Sequence, residues 1–201
     1  EFQALLKSKG RRTGMGLLHT EATTSYDPCW DTNRPIKLVT MPTPEVVTQA
    51  IDLYQTAFRK PSLTIYVGDF SGSMGGEGQR QLKLAMKTVL NQDDARKWSL
   101  QATAKDVNVF IPFSADVWKS YQVKGNNPSE LDQMYASINS LDPKGGTEIY
   151  LGLYSALKQL ESYGDLSQYS VSIILMTDGK SDSNMMREAL LGLTQSFHQK
   201  R

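Results

Sequence analysis

Apolar and polar positions follow two rhythms along this chain. Between Leu63 and Asp69 the apolar residues Leu63, Ile65, Tyr66 and Val67 occupy both parities, the pattern of a strand covered on both faces. Val107–Phe113 and Val171–Met176 carry the same apolar, β-rich signal. The stretch from Val117 to Val123 follows Phe113 across the short turn Ser114-Ala115-Asp116. That spacing predicts a hairpin whose second strand is antiparallel and lies at a sheet edge.

Between these runs the period lengthens to that of a helix. Thr43 reads as an N-cap with Pro44 at the first helical position, and Val46, Val47, Ala50, Ile51, Tyr54 and Phe58 share one face before Pro61. Leu82, Met86, Val89 and Leu90 form a second stripe. Asn127-Pro128-Ser129-Glu130 combines an N-cap, a first-turn proline and a capping-box acid ahead of Leu131, Met134, Tyr135, Ile138 and Leu141. Leu153, Leu157 and Leu160 mark a further helix closed by Gly164, and a last one is expected around Met185–Phe197. Strands alternating with helices predict an α/β fold: a doubly wound, mostly parallel sheet with helices on both faces. Ligands of such sheets sit beyond the carboxyl ends of the strands. No internal repeat or heptad series points elsewhere.

Composition narrows the picture. A chain of 201 residues suits one ordinary domain plus an appendage. The 22 Lys and Arg nearly balance the 21 Asp and Glu, so no global field recruits nucleic acid or an anionic membrane. The basic group Lys7, Lys9, Arg11 and Arg12 lacks interleaved aromatic residues and reads as a solvated chain end or interdomain contact. Cys29 is the one cysteine, which excludes an internal disulfide and suits a small buried hydrophobe. No apolar run approaches the roughly 20 residues of a spanning helix. The sequence begins without Met or a charged-then-apolar signal segment, and is expected to be an excerpt of a longer protein.

The candidate chemistry lies in three loops at the expected strand ends. Asp69, Ser71 and Ser73 are spaced by two directly after a buried strand, with glycines that let the backbone turn closely. Thr147 stands at the tip of a Gly145-Gly146 loop, and Asp178 opens the turn after the fourth apolar run. If the first and fourth strands are neighbours where strand order reverses, these loops converge. Two acids and three hydroxyls are oxygen ligands, suited to a hard divalent cation that retains waters and takes few carboxylates.

Asp69-x-Ser71-x-Ser73, the Gly-Gly-Thr147 loop and the Thr177-Asp178-Gly179 turn together resemble the complete metal-ion-dependent adhesion site of the von Willebrand factor A family. The resemblance covers residues from about Ser62 onward. It implies that Ser71, Ser73 and Thr147 touch the metal by their hydroxyls and that Asp69 and Asp178 act directly or through waters. Mg2+, or Mn2+ or Ca2+ in its place, would keep one position open for an Asp or Glu carboxylate of a partner protein, without catalysis. Gly10-Arg11-Arg12-Thr13-Gly14 and the helix to Phe58 resemble the tail and connector of bacterial proteins that join an extracellular solute-binding domain to such a module. The expected partition is therefore a connector over 1–61 and an A-type domain over 62–201, in an extracytoplasmic cell-envelope or membrane-anchored protein. Any membrane association would come from parts outside this sequence. Domains of this family continue past the helix that follows the Thr-Asp-Gly turn, so the outer flank of the fourth strand is expected to be open, a liability that intact proteins cover.

Other chemistries fit less well. Ser73, Asp178 and His198 occur in the chain order of an α/β-hydrolase triad. Ser71 replaces the first glycine of the nucleophile elbow, however, and Asp69 would crowd the nucleophile with charge. The second acid of a haloacid-dehalogenase phosphotransferase is replaced by Ser71, and no Gly-Lys-Ser or Gly-Lys-Thr completes a P-loop. A plain helix-capping role for Asp69, Ser71 and Ser73 explains neither Thr147 nor Asp178.

Overall fold

Buried strands rich in β-branched residues organise the computed structural model, which describes residues 4–5 and 40–199, the last two as backbone only. The expectations for Lys7 to Arg12, Gly14, His19 and Cys29 fall outside those residues. We number the elements α1 (Pro44–Leu53), β1 (Ser62–Asp69), α2 (Glu77–Leu90), α3 (Gln92–Lys97), β2 (Val107–Phe113), β3 (Tyr121–Lys124), α4 (Pro128–Asn139), α5 (Ile149–Glu161), β4 (Ser170–Met176) and α6 (Arg187–Gln199).

The sheet runs β3-β2-β1-β4. Central β1 pairs parallel with β2, from Leu63↔Val107 to Asp69↔Phe113, and parallel with β4, from Ser62↔Ser170 to Gly68↔Met176. β2 pairs antiparallel with edge strand β3. That edge strand is shorter than its apolar pattern predicts: Val117 makes only an isolated bridge to Phe113, and the ladder begins at Tyr121↔Phe110. The interruption has a packing cause, because Trp118 leaves the strand path to lie against Phe70, its ring centroid 5.7 Å away.

The strand period of two divides the core. Tyr66 and Phe110 face α2 and α4, packing with Leu82, Met86, Leu131, Met134 and Ile138. Leu63, Ile65, Val67, Val109, Ile111 and Phe113 face the other way and pack with Ala156 and Leu160 of α5 and, more exposed, Phe197 of α6. Helices therefore lie on both faces, as the sequence predicts, but β4, expected to be covered on both, leaves Ser170, Ser172 and Ile174 exposed on one side. Asn127 caps α4 by accepting a hydrogen bond from Ser129 N at 3.0 Å, with Pro128 in the first turn. In α5 the buried stripe is Gly152, Ala156 and Leu160. Gly152 lets the helix approach closely, since a methyl group there would stand 3.0 Å from Phe113 and 3.1 Å from Val67.

Two units divide the chain at Ile51/Asp52. Within the first, Val46, Val47 and Ile51 of α1 are exposed, and the helix buries no residue. Residues 52–61 belong to the second unit. There the helix gives way to a π-helical turn, Tyr54–Phe58, and Arg59 reaches Asp106. β4 lies at the other edge of the sheet, with no strand on its outer side among the described residues.

Candidate functional site

Strand register brings the loops together. Asp69 is the last residue of β1 and pairs with Phe113, while its neighbour Gly68 pairs with Met176. The chain thus leaves the sheet at one level after Asp69, Phe113 and Met176. Phe70 N donates to Phe113 O at 2.7 Å, which starts the first loop flat against the second strand. The loop then turns through a 3-10 helix, Gly72–Met74.

Asp69 is completely buried. Its Oδ1 accepts Ser71 N at 2.7 Å, and its Oδ2 accepts the Thr177 hydroxyl at 2.6 Å. Ser71, also buried, has its Oγ 3.1 Å from Ser73 Oγ. Ser73 Oγ in turn donates to Asp178 Oδ1 at 3.1 Å. Asp69, Ser71, Ser73 and Asp178 are thereby linked in series across two loops, Asp69 to Ser71 through the Ser71 amide and the other three through side-chain oxygens.

Thr147 arrives by its backbone. Gly72 N donates to Gly145 O at 2.9 Å and Lys144 N to Phe70 O at 2.8 Å, pinning the Gly-Gly loop to the first loop. Glu148 N donates to Ser114 O at 2.9 Å, tying it to the loop after β2. Thr147 itself is buried, and no hydrogen bond joins its hydroxyl to the other four residues. Lys144 places its ammonium 5.0 Å from the centre of the Trp118 ring.

The five expected residues are therefore on neighbouring loops, four of them linked by direct contacts. Three groups escaped the sequence reading as partners: the Thr177 hydroxyl on Asp69, Asp182, which accepts Thr147 N at 2.7 Å, and Ser181, whose Oγ accepts Ile149 N at 3.2 Å. Ser, Thr and Asp in a polar loop carry no spacing that would single them out. His198 lies in the last turn of α6, and its side chain is outside the described residues.

The donor set matches a hard cation. A buried carboxylate is costly unless a positive partner and hydrogen bonds compensate it. Asp69 has two neutral donors, and among the described residues no Lys, Arg or His side chain pairs with it. The Thr177 hydroxyl bonds it, and the linked oxygens of Ser71, Ser73 and Asp178 follow on the same and the neighbouring loop. Such a set of oxygen donors is suited to Mg2+, Mn2+ or Ca2+ and unsuited to soft metals. No group of three or more His, Cys, Asp or Glu side chains disposed to hold a metal occurs among the described residues, so hydroxyls have to carry part of any coordination. At the other end of the sheet, a cavity of about 590 Å³ opens beside Arg59, Thr64, Asp106, Asn108 and Ser172.

Known proteins resemble this chain in sequence and in fold. No family model matches the chain. Inter-alpha-trypsin inhibitor heavy chain H3 of Pongo abelii is 32% identical over 128 residues, which are 61% of this chain and 14% of that protein. The chain thus spans about one seventh of that relative's length. The pilus adhesin SpaC from Lactobacillus rhamnosus GG superimposes with a TM-score of 0.52 at 24% identity, over 63% of this chain and 16% of that one. A von Willebrand factor type A structure from Catenulispora acidiphila gives 0.51 at 18%, over 70% and 32%. The fold is of the von Willebrand factor A type, a mostly parallel Rossmann-like sheet.

Proposed function

We propose that this chain is a protein-binding module that captures a partner's Asp or Glu carboxylate through a divalent cation. Mg2+ is the expected ion, with Mn2+ and Ca2+ as substitutes. The observation that carries the reading is Asp69: a fully buried carboxylate, without a basic side-chain partner among the described residues, bonded to the Thr177 hydroxyl and tied through the Ser71 amide to the loop that bears the paired Ser71 and Ser73 hydroxyls. Ser71, Ser73 and Thr147 would hold the ion by their hydroxyls, and Asp69 and Asp178 would act directly or through waters. When bound, the ion supplies a positive centre with a vacancy for a carboxylate, little neutralised by its hydroxyl ligands. The chain's own part is to fix the oxygens. Ser71 N and Thr177 Oγ1 orient Asp69, and Ser73 orients Asp178.

Residues 1–61 would serve as a connector from a solute-binding-like domain, ahead of the A-type domain at 62–201, in an extracytoplasmic bacterial protein. The likeness to a pilus adhesin is in keeping with an adhesive role. A hydrolase would place an imidazole between serine and acid, whereas Ser73 bonds Asp178 directly. The reading therefore assigns no catalysis.

Calorimetric titration with Mg2+ or Mn2+ tests this. Wild type should bind, and Asp69→Ala or Thr147→Ala should weaken binding at least about tenfold, the scale of a lost metal contact or its support. Unchanged isotherms for both variants reject the assignment. Labelling of Ser73 by a fluorophosphonate would favour the hydrolase instead.

A further inference from the structure

We infer that Asp182 is a positioning residue that sets Thr147 for the cation, acting through the Thr147 backbone and not as a ligand. The inference rests on the metal-site reading above. Asp182 grips Thr147 twice: its Oδ2 accepts Thr147 N at 2.7 Å, and its own N donates to Thr147 O at 2.7 Å. The flanking serines extend the grip. Ser181 Oγ accepts Ile149 N at 3.2 Å, and Ser183 Oγ donates to Glu148 Oε2 at 2.8 Å. Residues 181–183 thus run alongside 147–149, and they belong to the same loop as Asp178.

The Gly-Gly loop needs such a support. Gly145 sits at φ +75°, in the left-handed region, and glycine backbones lose the most freedom on ordering. Gly146 leaves the space the clamp uses, because a Cβ there would stand 2.5 Å from Asp182 Oδ2. Ligand hydroxyls bind a small, geometrically demanding ion well only when their backbone is already in place. Asp182 fixes that backbone at the residue bearing the hydroxyl. The feature required is an oxygen acceptor at this position, so asparagine can replace it and alanine cannot.

The test uses the whole 201-residue chain and Mn2+ as the probe. Asp182→Ala should weaken Mn2+ binding by about 10- to 100-fold, the usual effect of removing a group that orients a metal ligand. Asp182→Asn should restore binding to within about threefold of wild type, since the amide oxygen still accepts Thr147 N. An unchanged affinity in Asp182→Ala overturns the inference. So does equal loss in both variants, which would assign Asp182 a role through its charge. Amide hydrogen exchange without metal gives a second measurement: Thr147 N–H should lose protection in Asp182→Ala and keep it in Asp182→Asn, while β1 amides stay protected in both. Retained Thr147 protection in the alanine variant also overturns the clamp. A wild-type chain that ignores Mn2+ defeats the metal reading, and the exchange measurement then still decides whether Asp182 positions Thr147.

Discussion

Asp69 and Asp106 are both buried acids at the two ends of one sheet, and their surroundings differ in kind. Asp106 has its cation within the chain: Arg59 donates to both carboxylate oxygens, at 2.9 and 2.5 Å, while Ser62 N and Thr103 N each donate at 2.6 Å. Burial pushes its carboxyl upward, but the Arg59, Ser62 and Thr103 hydrogen bonds outweigh that and hold it below the ordinary range. A lowered folded value means stability that is present above the unfolded value of about 3.9 and is lost as pH falls through the folded one. Asp106→Ala should therefore destabilise the fold by about 3 kcal/mol at neutral pH, since it strands a guanidinium and two backbone donors. Urea unfolding of wild type and variant across pH checks this: the gap should be widest near neutrality and close in acid. A gap independent of pH would count against the ion pair. Neither acid's environment was legible in the sequence. Arg59 and Asp106 are 47 positions apart, and only the folded sheet reveals that Asp69 has no equivalent partner among the described residues.

At the level of elements, periodicity succeeded where burial was two-sided or strongly one-sided. Leu63, Ile65 and Val67 mark β1 because both faces are covered, and Leu82, Met86 and Leu90 mark α2 because one face is. It failed on α3, whose six residues bury only Ala95, although Asn91 caps it by accepting Asp94 N at 3.0 Å. A short polar helix has a start signal and no stripe. Capping and close packing yield separate predictions. Asn127→Ala should lower stability by about 1 kcal/mol, the usual cost of a lost N-cap, read from the thermal midpoint. Gly152→Leu should cost more, about 1–3 kcal/mol, because the side chain would be driven into Phe113 and Val67 and push α5 off the sheet. If chemical denaturation finds Gly152→Leu as stable as wild type, the close helix–sheet contact is wrong.

For the molecule as a whole, the proposed ion would join three loops far apart in sequence: the Asp69–Ser73 loop, Thr147 and Asp178 are separated by the full α2–α4 and α5–β4 stretches. Register explains why the Asp69 and Asp178 loops meet, since β1 lies beside β4 and the two end at the same level. The Thr147 loop, which follows α4, is held to the first loop by backbone hydrogen bonds such as Gly72 N to Gly145 O. An ion bound only by the folded arrangement must stabilise it by mass action. At a free concentration of about 100 times Kd the gain is about 2.7 kcal/mol. In a domain of this size that corresponds to a rise in Tm of roughly 5–10 °C. Mg2+ should therefore raise the melting temperature of wild type, EDTA should reverse the rise, and Asp178→Ala should lose most of it while melting normally without metal. The last condition separates a ligand from a structural residue: Asp178 accepts a bond from Ser73 but lies outside both halves of the core, so its removal should cost little until the ion is present. A melting temperature indifferent to Mg2+ and EDTA would mean that the converging oxygens hold one another and nothing else.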